Sequence, residues 1–205
     1  MKILEVSRRR RQLYWLTIEG GEDTEVDVRT FDESPYREGC TITEEQLHTL
    51  LATSQYNRAR ERALYLLGLR DYACKELEQK LYCVANPDIA ASVVERLREV
   101  GLLDDELFAA RLARSLSETK HYPRRRIEQE LRHRGISPVL AQAAVEELDG
   151  EDFEQALALL QKKYYNKLND PDSRRRVVAA LARRGFSYGA IRRAMDEMGA
   201  PDDEE

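Results

Sequence analysis

The residues with the clearest chemical potential in this chain are arginines, grouped in clusters that recur about fifty residues apart. Two triplets each stand near the start of a helical segment, and further arginines follow near its end: Arg124, Arg125, Arg126, Arg132, Arg134, Arg174, Arg175, Arg176, Arg183 and Arg184. A guanidinium group presents a fork of N–H donors that matches a carboxylate or a phosphate bidentately. The pattern therefore predicts contact with an anionic partner, either an acidic protein surface or the DNA backbone, without base-specific readout.

The positive charge is segregated along the chain, although the formal net charge is -5. Residues 111–134 carry eight basic and three acidic side chains, a formal charge of +5. Residues 162–193 carry ten basic and two acidic side chains, a formal charge of +8. Such segregation indicates a surface for polyanions, and a solvated helix face is the alternative for any single arginine.

No catalytic or metal-binding motif accompanies these arginines. The three histidines are scattered, and the sequence lacks a glycine-rich phosphate loop, a GxSxG elbow and an HExxH pair. Cys40, Cys74 and Cys83 form no CxxC pair, so we expect buried or inert thiols in a reducing cytosol. We therefore predict a protein that is not an enzyme, with no catalytic residues, no metal and no cofactor.

The elements that must position the arginines are helices of a threefold internal repeat. Apolar pairs recur at a period of about fifty residues: Leu77 and Leu81, Ile127 and Leu131, Val177 and Leu181. A longer helix precedes each pair, over about residues 58–69, 105–118 and 152–167. We expect Asp104 and Asp105 to cap the second of these helices, because carboxylates accept backbone N–H bonds at a helix start.

The ends of the repeat helices also carry signals. Gly135 and Gly185 predict left-handed residues that end the second helix of their repeats. Asn86, Ser137 and Ser187 follow as predicted N-caps of the third helices. Repeats of this kind share a continuous core between neighbours, so they predict an elongated, curved body.

The residues before the repeats have a different pattern. Leu13–Ile18 and Val26–Arg29 flank a glycine turn and predict a β-hairpin or small meander. Thr43 is predicted to cap a short helix that ends at a joint over residues 54–57. The expected fold is mostly α, with three tandem three-helix repeats and a small N-terminal β-hairpin extension. The predicted divisions are 1–56 for the hairpin or meander with its short helix, 57–103, 104–150 and 151–199 for the repeats, and 200–205 for an acidic disordered tail.

The sequence predicts neither a transmembrane helix nor an N-terminal signal peptide. The sequence has no run of eighteen apolar residues, and Met1–Glu5 lacks the apolar core of a signal peptide. We therefore expect a soluble, cytoplasmic monomer with no membrane partner.

The repeat residues resemble those of the RecX family, whose members regulate the RecA recombinase. The resemblance rests on Gly101-Leu102-Leu103-Asp104-Asp105 followed by Phe108-Ala109, and on Glu130-Leu131 followed by Arg134-Gly135-Ile136. It implies a protein that lies in the groove of the RecA filament on single-stranded DNA and inhibits ATP hydrolysis, strand exchange and coprotease activity. The expected partners are thus the RecA filament and single-stranded DNA, with double-stranded DNA as a further ligand.

A stand-alone DNA-binding module, built from helix-turn-helix-like repeats, is the alternative function. Its recognition helix would need polar side chains at its start to contact base edges. The segment Ser137-Pro138-Val139-Leu140 supplies few of them. Whether RecA, DNA or both provide the affinity stays open at this point.

Overall fold

In a computed structural model, which describes residues 1–10 and 12–199, the chain divides into two units. The first is Met1–Leu103, and the second begins at Asp104. The predicted acidic tail, residues 200–205, lies outside the described residues.

The N-terminal segment is an antiparallel meander, as predicted, with strands in the order β1-β2-β3. The strands are β1 (Ile3–Arg10), β2 (Leu13–Ile18) and β3 (Thr24–Asp27). The prediction of a strand through residue 29 is wrong, because helix α1 (Val28–Glu33) begins directly after β3. Asp27 causes this change, since its Oδ1 accepts a hydrogen bond of 2.9 Å from the backbone N–H of Thr30.

Helix α2 (Glu44–Leu67) joins the sheet to the first repeat. Thr43 and Gln46 form the capping box at its start, as predicted. The predicted joint at residues 54–57 is wrong, because the helix continues through it. Ser54 is buried there, and its Oγ accepts a hydrogen bond of 2.7 Å from the backbone N–H of Asp27, so this part of the helix packs against the end of β3. The predicted division at residue 57 thus falls inside a continuous helix.

Three sets of three helices follow the pattern of the repeat. The first comprises α2, α3 (Cys74–Leu81) and α4 (Pro87–Glu99). The second comprises α5 (Asp105–Lys120), α6 (Arg124–His133) and α7 (Pro138–Glu146). The third comprises α8 (Asp152–Leu159), α9 (Pro171–Arg183) and α10 (Tyr188–Glu197). The predicted apolar pairs are all buried in the cores of their repeats, each at 2 % exposure or less.

Side-chain caps fix where the helices begin. The side chains of Asn86, Ser137 and Ser187 each accept the predicted hydrogen bond from the backbone N–H three residues on. Asp104 caps α5, since its Oδ1 accepts a bond of 2.9 Å from the N–H of Leu107, and Asp105 occupies the first turn. These caps therefore fix the first residue of α4, α5, α7 and α10.

The long helix predicted over residues 152–167 is interrupted. Helix α8 ends at Leu159, a π-helical turn covers Leu160–Tyr164, and a short 3₁₀ segment covers Tyr165–Lys167. A π turn inserts a residue into the helical register. Leu159, Leu160 and the later Leu168 are all buried in the core of the third repeat, so core packing there overrides regular helical continuation.

Gly185, which follows α9, and Gly189, in the first turn of α10, allow a matched test of whether a left-handed backbone requires glycine. Gly185 has φ of 101°, whereas Gly189 lies in the first turn of α10 without a positive φ. We expect Gly185→Ala to lower the free energy of unfolding by about 1–2 kcal/mol, because an L side chain is strained in the left-handed region. Gly189→Ala should raise it by about 0.4–1 kcal/mol, since an added Cβ meets no atom within 4 Å there. Urea unfolding of the full chain measures both changes, and effects of the same sign would contradict this account.

Candidate functional site

Arg124 ties the second repeat to the third. Its Nη2 donates hydrogen bonds to the carbonyl oxygens of Leu148, at 2.5 Å, and Gly150, at 2.9 Å. Its backbone N–H donates to Oδ1 of Asp152, at 2.9 Å. A half-buried arginine with two carbonyl acceptors therefore fixes the start of α6 against the connection from α7 to α8.

Gly185 brings the end of α9 to the same place. A Cβ built on Gly185 would lie 3.5 Å from Cβ of Arg126 and 3.5 Å from Cγ of Pro123. The C-terminal end of α9, the second helix of the third repeat, thus lies against the N-terminal turn of α6, the second helix of the second repeat. This contact places Arg183 and Arg184 on the same side of the unit as Arg126.

A cleft of about 480 Å³ opens at this contact, and we call it the basic cleft. Cations line it from three directions: the end of α5, the start of α6, and the segments around the π turn and the end of α9. The basic lining residues are Lys120, Arg126, Lys162, Lys163, Arg183 and Arg184. No acidic residue of the described chain lines it, so the cleft carries six formal positive charges.

The charges of the basic cleft are largely unneutralised. Arg126 pairs with Glu130 at 2.7 Å. Within the part of the chain that the structure describes, the other five cations have neither an ion pair nor a side-chain hydrogen bond. Like charges held in a concave surface repel one another and raise the local positive potential, which attracts polyanions. The arrangement can therefore hold phosphate or carboxylate groups.

Irregular backbone positions several groups of the basic cleft. The π turn at Leu160–Tyr164 carries Lys162 and Lys163. His121, the C-cap of α5, has φ of 51°, and its Nδ1 lies 3.1 Å from Oε1 of Gln155. Non-glycine residues in the left-handed region and π turns are both enriched at functional sites. Both irregularities border the same cleft.

The structure brings only part of the predicted arginine set into the cleft. Arg126, Arg183 and Arg184 line it, whereas Arg124 is held by carbonyl groups and Arg125 is exposed outside it. Arg132 forms an exposed pair of 3.4 Å with Glu128 on α6, and Arg134 is half-buried at the end of that helix.

The second triplet is dispersed. Arg174 is 7 % exposed, so its side chain lies inside the third repeat and not on the surface. Arg175 is exposed and lies 3.9 Å from the carboxylate of Asp172, and Arg176 is exposed on α9. The two triplets also differ in register, since α9 begins at Pro171, before its triplet, whereas α6 begins with its own.

Asp170 compensates for positive charge at the start of α9. Hydrogen bonds from the side chain and the backbone N–H of Ser173 lower the pKa of its carboxyl group below the usual value, and the charges of Arg176 and Arg174 lower the pKa further. The ionised cap thus stabilises a helix start that carries several cations.

Three cations of the cleft were absent from the predicted site: Lys120, Lys162 and Lys163. All three fall in the two basic segments that the charge count identified, so the sequence signal was present. Their convergence depends on the π turn and on the contact at Gly185, which no local pattern reveals.

We also searched the described residues for metal sites, disulfides and membrane-spanning helices. Among residues 1–10 and 12–199, no three His, Cys, Asp or Glu side chains are grouped so as to hold a metal ion. Cys40 and Cys74 are half-buried, Cys83 is exposed, and none of the three forms a disulfide, so burial does not account for the three thiols and the expectation that they are inert stays a prediction. No helix over the same residues is both long and apolar enough to cross a bilayer.

A small meander, three-helix repeats and a cleft lined by six cations define a mostly helical repeat protein. Residues 104–145 match the family model described as the second three-helix domain of RecX, and residues 150–195 match the model of its third three-helix domain. Relatives named regulatory protein RecX are similar to this chain over most of its length. The chain belongs to the RecX family.

Two relatives named regulatory protein RecX illustrate the similarity. The protein from Clostridioides difficile strain 630 is 28% identical over 184 residues, which cover 86% of either chain. The protein from Trichlorobacter lovleyi is 33% identical over 144 residues, 66% of this chain and 92% of its own length.

Solved structures share the fold. A crystal structure of regulatory protein RecX covers 95% of this chain and 98% of its own, with a TM-score of 0.64 and 22% identity. The structure of RecX from Lactobacillus salivarius covers 72% of this chain and 98% of its own, with a TM-score of 0.62. The mostly helical repeat fold is therefore that of the family.

Arg124 and Arg125 belong to the same triplet, but Arg124 is held by carbonyl groups and Arg125 is exposed, so their substitution compares a structural arginine with an exposed one. We expect Arg124→Met to lower the free energy of unfolding by about 1–2 kcal/mol, because the carbonyl groups of Leu148 and Gly150 lose a charged donor. Arg125→Met removes the same charge from the same turn and should change it by less than about 0.5 kcal/mol. Urea unfolding compares the two variants, and equal losses would show that the tie is unimportant.

Proposed function

We propose that this chain binds the RecA recombinase filament on single-stranded DNA and restrains it. Restraint would reduce ATP hydrolysis, strand exchange and coprotease activity. Family membership supports RecA as the partner, and the basic cleft is the observation that carries the proposal. The chain would act in the cytoplasm as a monomer, in homologous recombination, DNA repair and the SOS response.

The chemistry of the basic cleft fits such a target. A filament on DNA offers two kinds of anion, the phosphates of the strand and the carboxylates of the recombinase. Arginine forks bind either group bidentately, and lysines add charge without demanding one geometry. Five of the six cations lack a described partner, so binding would satisfy them without first breaking an internal ion pair.

The proposed mechanism is steric and electrostatic, and it needs no chemical step on the recombinase. Contacts from the cleft would favour the filament conformation that fits them best, at the expense of conformations that turn over ATP. A regulator that binds one state more tightly shifts the population toward that state. Inhibition would therefore follow from differential affinity alone.

The direct test measures RecA ATP hydrolysis on single-stranded DNA while this protein is titrated in. The parent protein should suppress hydrolysis at substoichiometric amounts. A triple variant, Lys163→Gln, Arg183→Gln and Arg184→Gln, should need at least about tenfold more protein, because charged contacts at an interface centre carry much of its affinity. The matched control, Arg60→Gln, Lys75→Gln and Lys80→Gln, removes equal charge from exposed positions of the first unit and should change potency by less than about twofold.

Equal potency of the cleft variant and the parent would contradict the assignment of the cleft. Binding to the same DNA without RecA, measured against salt concentration, distinguishes the alternative function. A DNA-binding module would bind tightly with RecA hydrolysis unchanged. Its log affinity would fall with log salt by about 0.7 for each phosphate contact to single-stranded DNA.

A further inference from the structure

A second concave surface in the unit that begins at Asp104 has the opposite charge. Two hollows of about 240 and 330 Å³ share Ala110, Ala144 and Glu147, so they form one groove, which we call the acidic groove. Its α5 wall runs from Asp104 to Glu118 and includes Leu107, Ala110, Arg114 and Glu118, whose spacings of three and four residues place them on one helix face. Leu140, Ala143 and Ala144 of α7, with Glu147 directly after that helix, form the opposite wall.

Carboxylates surround the acidic groove. Glu106 and Glu118 stand on the α5 side and Glu147 and Asp149 on the α7 side, whereas Arg114 is the one basic residue among the described lining residues. Some exposed acids elsewhere on the repeats pair with arginines, as Glu99 does with Arg96 at 2.8 Å. None of the four groove acids has an ion pair or a side-chain hydrogen bond with another described residue.

The floor of the acidic groove is apolar and open. Leu107 is 47 % exposed, Leu140 is half-buried, and the alanines of both helices leave space between the walls. An exposed leucine beside unpaired carboxylates is complementary to a segment that is apolar on one face and basic on the other. Amphipathic helices bind between two helices in this manner.

The third repeat shows how the equivalent surface is filled. At the period of fifty residues Ala143 corresponds to Arg193. The guanidinium of Arg193 lies 3.6 Å from the ring centre of Phe153 and 2.6 Å from Oε2 of Glu151, the N-cap residue of α8. The third repeat thus places its own arginine between the first and third helices, and the second repeat has only a methyl group there.

We propose that the acidic groove binds a basic amphipathic helical segment of a partner protein. An arginine of that segment takes the position over α5 and α7 that Arg193 takes over α8 and α10, and its apolar face covers Leu107 and Leu140. The unpaired acids supply charge complementarity along the groove. This inference is independent of the basic cleft and of the proposed action on RecA.

The experiment uses a fluorescent peptide of about fourteen residues, long enough at 1.5 Å per residue to span α5 from Asp104 to Glu118. Its leucines recur at helical spacing along one face, and its arginines lie on the opposite face. A control peptide has glutamate at every arginine position. Anisotropy at about 0.15 M salt measures binding to the full chain, so that weak surface attraction is screened. Ala143→Arg fills the groove from within, and Glu147→Lys reverses the charge of its rim.

Glu197→Lys is the matched control, because Glu197 occupies the position in the third repeat that Glu147 occupies in the second. We expect Ala143→Arg and Glu147→Lys each to weaken binding of the arginine peptide by at least about tenfold, and Glu197→Lys to weaken it by less than about twofold. Inhibition of RecA hydrolysis by the groove variants should match that of the parent, which keeps this test separate from that of the basic cleft.

Three results would overturn the proposal. The first is equal binding of the arginine peptide by the parent, Ala143→Arg and Glu147→Lys. The second is binding of the glutamate peptide as tight as that of the arginine peptide. The third is a concentration-dependent dimer in sedimentation that Ala143→Arg abolishes, since the occupant would then be a second copy of this chain.

Discussion

The tie between Arg124 and the connection from α7 to α8 is the interaction on which the second unit depends. Its two carbonyl acceptors and the bond from its backbone N–H to Asp152 fix the first turn of α6 against the third repeat. A cation in the first turn of a helix is unfavourable by a few tenths of a kcal/mol, and these bonds offset that cost. Because the turn is fixed, Gly185 can lie against Arg126, and the cations of three separate segments face one cleft.

Charge segregation within this unit has an energetic consequence. Among the residues that the structure describes, six cations and no acid line the basic cleft, whereas five acids and one arginine line the acidic groove. Pairing these charges internally would lower the free energy of the folded chain, yet the fold keeps them on different surfaces. Self-repulsion destabilises each surface in the unbound state and favours ligands of the opposite charge. A net charge of -5 therefore hides two surfaces of opposite preference.

Local signals in the sequence predicted most of the helices, because caps and glycine ends act within one turn. Ser137 and Ser187 mark helix starts through bonds that span three residues. Two features that depend on tertiary packing were not predicted. One is strand β1, which forms by pairing with β2. The other is the continuation of helix α2 through Ser54, where the helix packs against the end of β3. In the candidate site, too, local sequence predicted some features and tertiary packing decided the others. Both arginine clusters were visible, but the burial of Arg174 and the recruitment of lysines by the π turn follow from the core of the third repeat.

Hydrogen–deuterium exchange on the chain bound to RecA filaments tests most directly whether the basic cleft meets the filament. Exchange of backbone amides reports local opening and occlusion in separate segments. The account predicts that residues 119–126, 159–163 and 181–185, the three segments that contain the lining residues of the basic cleft, gain protection on binding. Protection confined to Met1–Leu103, with those three segments unchanged, would contradict it.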